Sequence, residues 1–568
     1  MTTIARNGQV SNYFVERQQR ILRHPAIGIV SIVLISCLVL FLGMSRHPIV
    51  YDEGLVLTAA MRVAAGQVPH RDFYANYGPA QFYVLAGLFK LFGESILVER
   101  LFDLVLKALV VASVYTIAST YCRRSIAVCT SVITLFWIYG LNFSGSNIIP
   151  VSLVNLIGAA LILPVFLHNV STRRMFTAGA VAGLAVLLRY DTGLALVGIQ
   201  SFLIITAIYL RDESRRFRSF ASTFWPYLLG LALLTLPPAL YYLSVAPVYP
   251  LARDIVLFSG RYYYRNRNLP FPGISLKTVD NLEIYLPIVV ASISLYVAVA
   301  LQLQRRAGGA LKSQSISEDQ NLQGFLLTFG LLALAMYCKG LVRVSLGQMY
   351  LSIVPSFLLI AVLFQHRWTF PRLGRISIIC AVWLSVLATT WATLHVLKLL
   401  YVQHLSVLER MVSVSRGTSS ESQTTWCKIA NPLTTGLCFL PEDGRIQTIE
   451  FIDSHTRPDE QLYVGTTKHD RIFANDNLTY FATQRMPATR WSHFDPNLQN
   501  SHDIQTQMIH ELEVNAPPYI VLDSEFDSMR EPNDSAMSTG VTLLDEYLGR
   551  KYRRAETFGE MSVWQRVP

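Results

Sequence analysis

Apolar residues in this chain gather into runs of about 20, the length a helix needs to cross a bilayer, with short polar loops between them. The runs predict about eleven spanning helices, at 25–44, 96–120, 126–141, 147–168, 175–189, 191–210, 221–244, 283–302, 323–339, 348–365 and 375–397. Residues 79–92 are apolar but short, and predict a helix that lies along the interface or re-enters it. From about 398 the runs stop, and Asp, Glu, Asn, Pro and Thr become common. There, 462–465 and 519–523 read as short buried strands, and 501–514 and 540–549 as helices. The predicted fold is therefore an all-α polytopic membrane domain over 25–400, with a short N-terminal segment 1–24 and a first loop 45–95. A separate α/β domain follows over 401–568.

Composition supports this division. The chain is 52% hydrophobic and 15% charged, whereas a soluble domain carries about 25% charge. The run Ala26–Met44 is long for a signal peptide and no small-residue cleavage site precedes Tyr51, so it reads as a retained helix. The net charge of +10 sits mainly in short loops between apolar runs, which is a topology signal and not a nucleic-acid surface. With a cytosolic N-terminus, the inside loops carry Arg123-Arg124, Arg173-Arg174, Arg211 with Arg215, Arg216 and Arg218, then Arg305, Arg306 and Lys312, then Arg367, Arg372 and Arg375. Every inside loop is then basic. The same count puts 45–95, 246–282, 340–347 and the C-terminal domain outside. Of seven cysteines, Cys427 and Cys438 lie in that polar part, and form a disulfide candidate if it is outside the cytosol. No Cys/His spacing suggests zinc.

Candidate chemistry begins with Asp52 and Glu53, just past the first apolar run and ahead of a predicted helix 55–66 that ends at Gly66. The bland reading is that Asp52 caps this helix. The functional reading is a general base at a membrane-facing cleft, taking a proton from a hydroxyl or amine. A divalent-metal role has little support, because no third acid is near. Arg71 suits a phosphate, and with Asp72, Tyr74, Asn76 and Tyr77 it forms either a sugar and phosphate surface or an interfacial aromatic belt with a snorkelling Arg. Glu99, Arg100, Asp103 and Lys107 share one face of a spanning helix. Asp103 and Lys107 read as a structural pair, and Arg100 stays open between structure and phosphate binding. Arg189-Tyr190-Asp191 interrupts two runs with almost no loop, as an ion pair closing a turn or as a cation facing the cavity of Asp52. Arg261 to Arg267, Lys339 and Arg343 place basic residues outside, against the topology bias. A lipid phosphate explains them, as do anionic headgroups for the 261–267 cluster. Lys468-His469-Asp470 and the stretch 531–535 read as surface turns. No glycine-rich phosphate cradle is present, so nothing points to a nucleotide-driven pump or a nucleotide-sugar site.

These residues resemble a family. The Asp-Glu pair after the first span, Pro69-His70-Arg71-Asp72-Phe73, Tyr77-Gly78-Pro79-Ala80-Gln81-Phe82-Tyr83, Leu91-Phe92-Gly93-Glu94-Ser95 with Arg100, and Arg189-Tyr190-Asp191-Thr192-Gly193 look like the GT-C glycosyltransferases. The resembling branch contains protein O-mannosyltransferases and aminoarabinose transferases of lipid A. The likeness covers roughly 25–400 and is most specific at 51–100. It implies an integral membrane glycosyltransferase of the cell (inner) membrane, N-terminus cytoplasmic, C-terminal domain periplasmic or extracellular. Such an enzyme moves a sugar from a polyprenyl-phosphate donor to an envelope lipid, glycan or protein. From the residues themselves no cofactor is expected, a divalent metal being weakly supported. It implies Asp52 as catalytic base, supported by Glu53. Many members place a Lys before a Pro-Pro pair where this chain has Tyr77-Gly78-Pro79, so Arg71, Arg189, Lys339 or Arg343 stands in as the phosphate ligand. Two rival classes are a flippase of lipid-linked glycans, which predicts half-repeats that are not seen, and a non-catalytic envelope assembly protein.

Overall fold

The computed structural model describes most of residues 25–366, single positions between 376 and 383, and 428–568, with short gaps at 43, 45–47, 142–147, 168–170, 210–212, 274–279, 308–312, 431–436 and 440–443. Helix α1 (Pro25–Leu42) leads into two short helices, α2 (Asp52–Ala64) and α3 (Ala80–Phe92). The bundle follows: α4 (Ile96–Tyr121), α5 (Arg124–Leu141), α6 (Ile148–Ile162), α7 (Thr172–Leu188), α8 (Tyr190–Tyr209), α9 (Glu213–Val245), α10 (Asp280–Ala307), α11 (Ser313–Gly340) and α12 (Leu346–Gln365). Among the described residues, seven helices are long and apolar enough to cross a membrane. Helices also cover the expected runs 25–44, 126–141 and 175–189, while 375–397 lies outside the described residues apart from single positions. The chain is an integral membrane protein.

Helix α3 has 13 residues, too few to span. One face buries Phe82, Leu85, Ala86 and Phe89, and the other exposes Tyr83 and Val84, with Leu91 and Phe92 exposed at its C-terminal end. That division suits a helix lying between a protein core and an apolar surround. Among the described glycines, those on α7 and α9 mark the tightest backbone contact. A Cβ on Gly179 would stand 1.9 Å from the Tyr227 carbonyl oxygen, and one on Gly230 would stand 1.9 Å from that of Phe176. Only glycine at both positions lets the backbones meet in this way.

The C-terminal domain contains β1 (Lys428–Ala430), β2 (Leu437–Phe439), α13 (Arg445–His455), β3 (Tyr463–Thr466), α14 (Leu478–Thr483), α15 (His502–Asn515), β4 (Tyr519–Asp523), α16 (Leu543–Lys551), β5 (Tyr552–Phe558) and β6 (Met561–Arg566). The main sheet has the order β3-β4-β6-β5, with β3 and β4 parallel and the remaining pairs antiparallel. Both expected strands are present, fully buried, as are both expected helices. Edge strand β5 exposes Arg553, Arg554 and Glu556, charges that discourage pairing with another chain. Cys427 lies outside the described residues, and of Cys438 only its strand position is described.

The loop between α1 and α4 shares a hydrophobic core with this domain. Leu55, Leu57, Met61, Phe82 and Phe89 pack in one cluster with Phe439, Ile449, Val464, Leu478, Phe481 and Met561. The rings of Phe89 and Phe481 stack at 5.7 Å. Thr58 Oγ1 donates to the Asn477 carbonyl at 2.7 Å. Arg62 reaches the Thr489 carbonyl, Ser492 Oγ and the Asp72 carbonyl, closing α2 between the first loop and the C-terminal domain. Helix α2 is therefore held by the domain more than 400 residues downstream.

Gly230→Leu forces α7 and α9 apart. Overpacking of this kind costs about 1–3 kcal/mol, so a lower melting temperature in detergent is expected, and an unchanged value would contradict the close contact.

Candidate active site

Asp52 lies in the first turn of α2, where the helix dipole favours an anion. It is not the cap. Tyr51 occupies the cap position, and no side chain caps the helix. Among the described residues the Asp52 carboxylate makes no hydrogen bond and no ion pair, and it is exposed to solvent. It nevertheless stands in a recess. Crowding by the surrounding protein raises its pKa above the ordinary value, against the pull of Arg267 and Arg343. A carboxylate that is accessible, unpartnered and harder to ionise than usual is suited to accept a proton.

Glu53 points the other way. It is fully buried, and its Oε2 accepts from Arg100 Nη2 at 2.9 Å and from the Ile49 amide at 2.9 Å. Arg100 also faces Glu99 at 3.8 Å. These contacts fix α2 against α4 and leave Glu53 and Arg100 beneath the recess. Asp103 and Lys107 pair at 2.6 Å further along α4, as structural partners.

The wall beside Asp52 is built around Asp495 of the C-terminal domain. Asp495 is 1% exposed. Its Oδ2 accepts from Tyr74 Oη at 2.8 Å and Asn76 Nδ2 at 3.0 Å, and its Oδ1 faces Arg267 Nη2 at 3.4 Å. Arg267 Nη2 also donates to Tyr51 Oη at 3.2 Å, and Tyr51 Oη meets His493 Nε2 at 2.9 Å. Burial works against the Arg267 charge, but Tyr51 and Asp495 more than offset it, so its pKa is raised. Burial lowers the pKa of His493, favouring neutral imidazole. Arg343 completes this side. Its Nη1 and Nη2 bond the two Glu531 oxygens at 2.7 and 2.5 Å, and Nη1 also reaches the Arg267 carbonyl at 3.2 Å.

Arg189 is the single residue between α7 and α8. Its Nε bonds Asp191 Oδ1 at 2.9 Å, and its guanidinium lies 5.7 Å from the Tyr77 ring centroid. Burial, then the nearby Asp52 charge, raises the pKa of Tyr77. Lys339 belongs to the same electrostatic group as Arg189 and Asp191, and its Nζ donates to Gln348 Oε1 at 2.5 Å.

Of the residues singled out from sequence, Asp52, Tyr77 and Arg343 join one electrostatic group, and Tyr77, Arg189, Asp191 and Lys339 an adjoining one. Arg71 and Asp72 do not. They pair with each other at 2.8 and 2.6 Å on an exposed turn, where Asp72 Oδ2 also holds the Val68 amide at 2.7 Å. Arg100 is committed to Glu53. Arg261 lies on a helical turn, Ser259–Tyr263, and its side chain is outside the described residues. Sequence reasoning flagged the basic run ending at Arg267 but missed Tyr51, His493, Asp495 and Glu531. Glu531 is no simple surface turn, because it clamps Arg343. His469 is likewise buried, between Tyr463 and Asp545. Among the described residues no three His, Cys, Asp or Glu side chains converge as metal ligands.

Helices of this order, closed by a C-terminal α/β domain over a carboxylate recess, match known structures. Crystal structures of ArnT from Cupriavidus metallidurans align over nearly the whole chain. The form bound to undecaprenyl phosphate gives a TM-score of 0.52 at 14% identity, covering 95% of this chain and 98% of that one. The chain has the GT-C fold. The apo form of the same ArnT gives 0.52 at 15% identity, with 96% and 98% coverage. The Archaeoglobus fulgidus oligosaccharyltransferase gives 0.43 at 10%, with 87% and 68% coverage. The family model for dolichyl-phosphate-mannose-protein mannosyltransferases matches residues 76–242 of this chain. No curated protein matches it by sequence.

Asp495→Ala strands Arg267 without its buried counter-charge, a change that costs about 3–5 kcal/mol. The expected outcome is early proteolytic release or melting of the C-terminal domain, and wild-type protease resistance would count against the hub.

Proposed function

We propose that this chain is an integral membrane glycosyltransferase that moves a sugar from a polyprenyl-phosphate donor to an acceptor on the extracytoplasmic side. The observation that carries this reading is the unpartnered Asp52 carboxylate, on which the charges of Arg267 and Arg343 act, beside Tyr77, whose ring Arg189 also reaches. The undecaprenyl phosphate bound by the C. metallidurans ArnT supports a lipid phosphate as the anion. The basic loops support a cytosolic N-terminus, which puts the recess and the C-terminal domain outside.

In this mechanism Asp52 takes the proton from an acceptor hydroxyl or amine as that atom attacks the anomeric carbon. The anomeric carbon–oxygen bond to phosphate breaks, and its electron pair stays with the phosphate. One displacement of this kind inverts the anomeric centre. Arg189 and Lys339, in the group beside Tyr77, bind the phosphate together with Arg343 and stabilise its growing charge. Arg189, seated over Tyr77, supplies the cation that the resemblance expects from a Lys at that position. Glu53 contributes by holding α2 through Arg100, not by touching substrate. The cluster of Tyr51, His493 and Asp495 fixes the wall on which the acceptor rests. The acceptor is an envelope lipid, glycan or protein.

Asp52→Asn is expected to lower transfer about 100- to 10,000-fold, measured with lipid-linked sugar in reconstituted membranes. Transfer in the wild type should fall as pH drops through the raised Asp52 pKa, because only the ionised form accepts a proton. The stability sign runs the other way. A carboxyl with a raised folded pKa contributes stability that is full below the unfolded value and lost as pH rises through the folded one. Asn at this position should therefore leave the melting temperature at neutral pH unchanged or higher. Full transfer by Asp52→Asn would remove the base assignment.

A further inference from the structure

We propose that Glu531 is a carboxylate stand-in for the donor's phosphate, and that Arg343 exchanges between the two during capture and release of the lipid. The proposal rests on the glycosyltransferase reading above. Arg343 lies in the short connection between α11 and α12, close enough for its charge to act on Asp52. It holds Glu531 through two parallel N–H to oxygen bonds, at 2.7 and 2.5 Å. That paired geometry is the one a guanidinium also offers to phosphate.

Accessibility separates this pair from the others nearby. Arg100 and Glu53 are 5% and 0% exposed, and Arg267 and Asp495 are 8% and 2% exposed. Opening either would strip a sealed charge of its nearest counter-ion, which is strongly unfavourable. Arg343 and Glu531 are 24% and 14% exposed. Both are partly open to solvent, and a partly exposed ion pair is weak enough to be exchanged.

The segment that carries Glu531 stays seated when Arg343 leaves. Asn533 Nδ2 donates to Glu531 Oε2 at 3.0 Å and to the Asn268 carbonyl at 2.8 Å. Exchange is therefore a swing of one side chain and does not require the domain to lift. Although burial disfavours the Glu531 charge, Arg343 and Asn533 hold its pKa below the ordinary glutamate value, so it remains an anion and a competitor. After transfer, the lipid phosphate has lost its sugar and gained charge, so it grips Arg343 more tightly. The returning Glu531 carboxylate displaces it and shortens its residence.

The test uses the full chain in lipid nanodiscs, with undecaprenyl phosphate as the probe. Glu531→Gln removes the competitor. It should tighten binding by about two- to five-fold, the factor a partly exposed ion pair represents. It should also deepen product inhibition of transfer by added undecaprenyl phosphate, with a lower kcat. Arg343→Gln should weaken binding, and the double variant should lose the tightening. Unchanged or weaker binding by a folded Glu531→Gln protein overturns the proposal. If that variant melts early, Glu531→Asp, which keeps the charge but shortens its reach, should tighten binding to a smaller degree. Wild-type or weaker affinity in that protein also overturns it. If the wild type binds the probe but transfers no sugar, the enzymatic reading fails while the affinities still judge Glu531. If the wild type does not bind the probe at all, both fail.

Discussion

The buried carboxylate of Asp495 is the point on which the rest of the arrangement depends. It is drawn out of water at a junction of three parts of the chain. Tyr74 and Asn76 come from the first loop, Arg267 from the loop ahead of α10, and Asp495 itself from the C-terminal domain. A carboxylate with so little exposure is tolerable only with its cation and donors in place. The three parts are thus assembled together or not at all. Tyr51, adjacent to Asp52, is tied into the same group through Arg267 and His493. The position of the proposed base follows from a contact made more than 400 residues away.

This constraint also orders the charges around the recess. Arg100 is matched by Glu53, Arg267 by Asp495, Arg343 by Glu531 and Arg189 by Asp191. Among the described residues Lys339 makes no ion pair, and its Nζ rests on the neutral Gln348. The group of Arg189, Asp191 and Lys339 therefore has a surplus of basic over acidic side chains, beside Tyr77. An anion is the natural complement to such a surplus, and a phosphate that gains charge as its bond breaks is favoured further. Among the described residues the Asp52 carboxylate has no hydrogen bond and no ion pair. Crowding raises its pKa while Arg267 and Arg343 restrain the rise, which balances availability against basicity.

Much of this was legible in the sequence. The runs of apolar residues gave the bundle because bilayer thickness sets helix length, a constraint that needs no tertiary information. The two buried strands and their helices were legible for a similar reason, since their pattern is local. Asp52 stood out by its place after the first span. Charge pairing was not legible. A guanidinium available for phosphate and one committed to a carboxylate look alike in a sequence, so Arg100 and Arg71 were grouped with Arg189 and Arg343. Glu53 and Arg100 are 47 positions apart, and Arg343 and Glu531 are 188 apart. No periodicity links them. Asp495 carries no local signal at all, because its partners come from three distant segments.

The absent Lys shows how packing can supply a charge that the local sequence lacks. A Cβ on Gly78 would stand 2.2 Å from the Leu187 carbonyl oxygen, so the loop backbone touches the last turn of α7. Arg189 follows immediately as the one residue between α7 and α8, in extended conformation. The contact at Gly78 thereby delivers the guanidinium over the ring of the preceding residue, Tyr77. A Lys at position 77 would meet Arg189 as a like charge, whereas the tyrosine ring receives it through a cation–π contact. Tyrosine at 77, glycine at 78 and arginine at 189 are thus mutually consistent. The recess gains its cation from a helix junction, placed by a backbone contact that any larger residue at 78 would break.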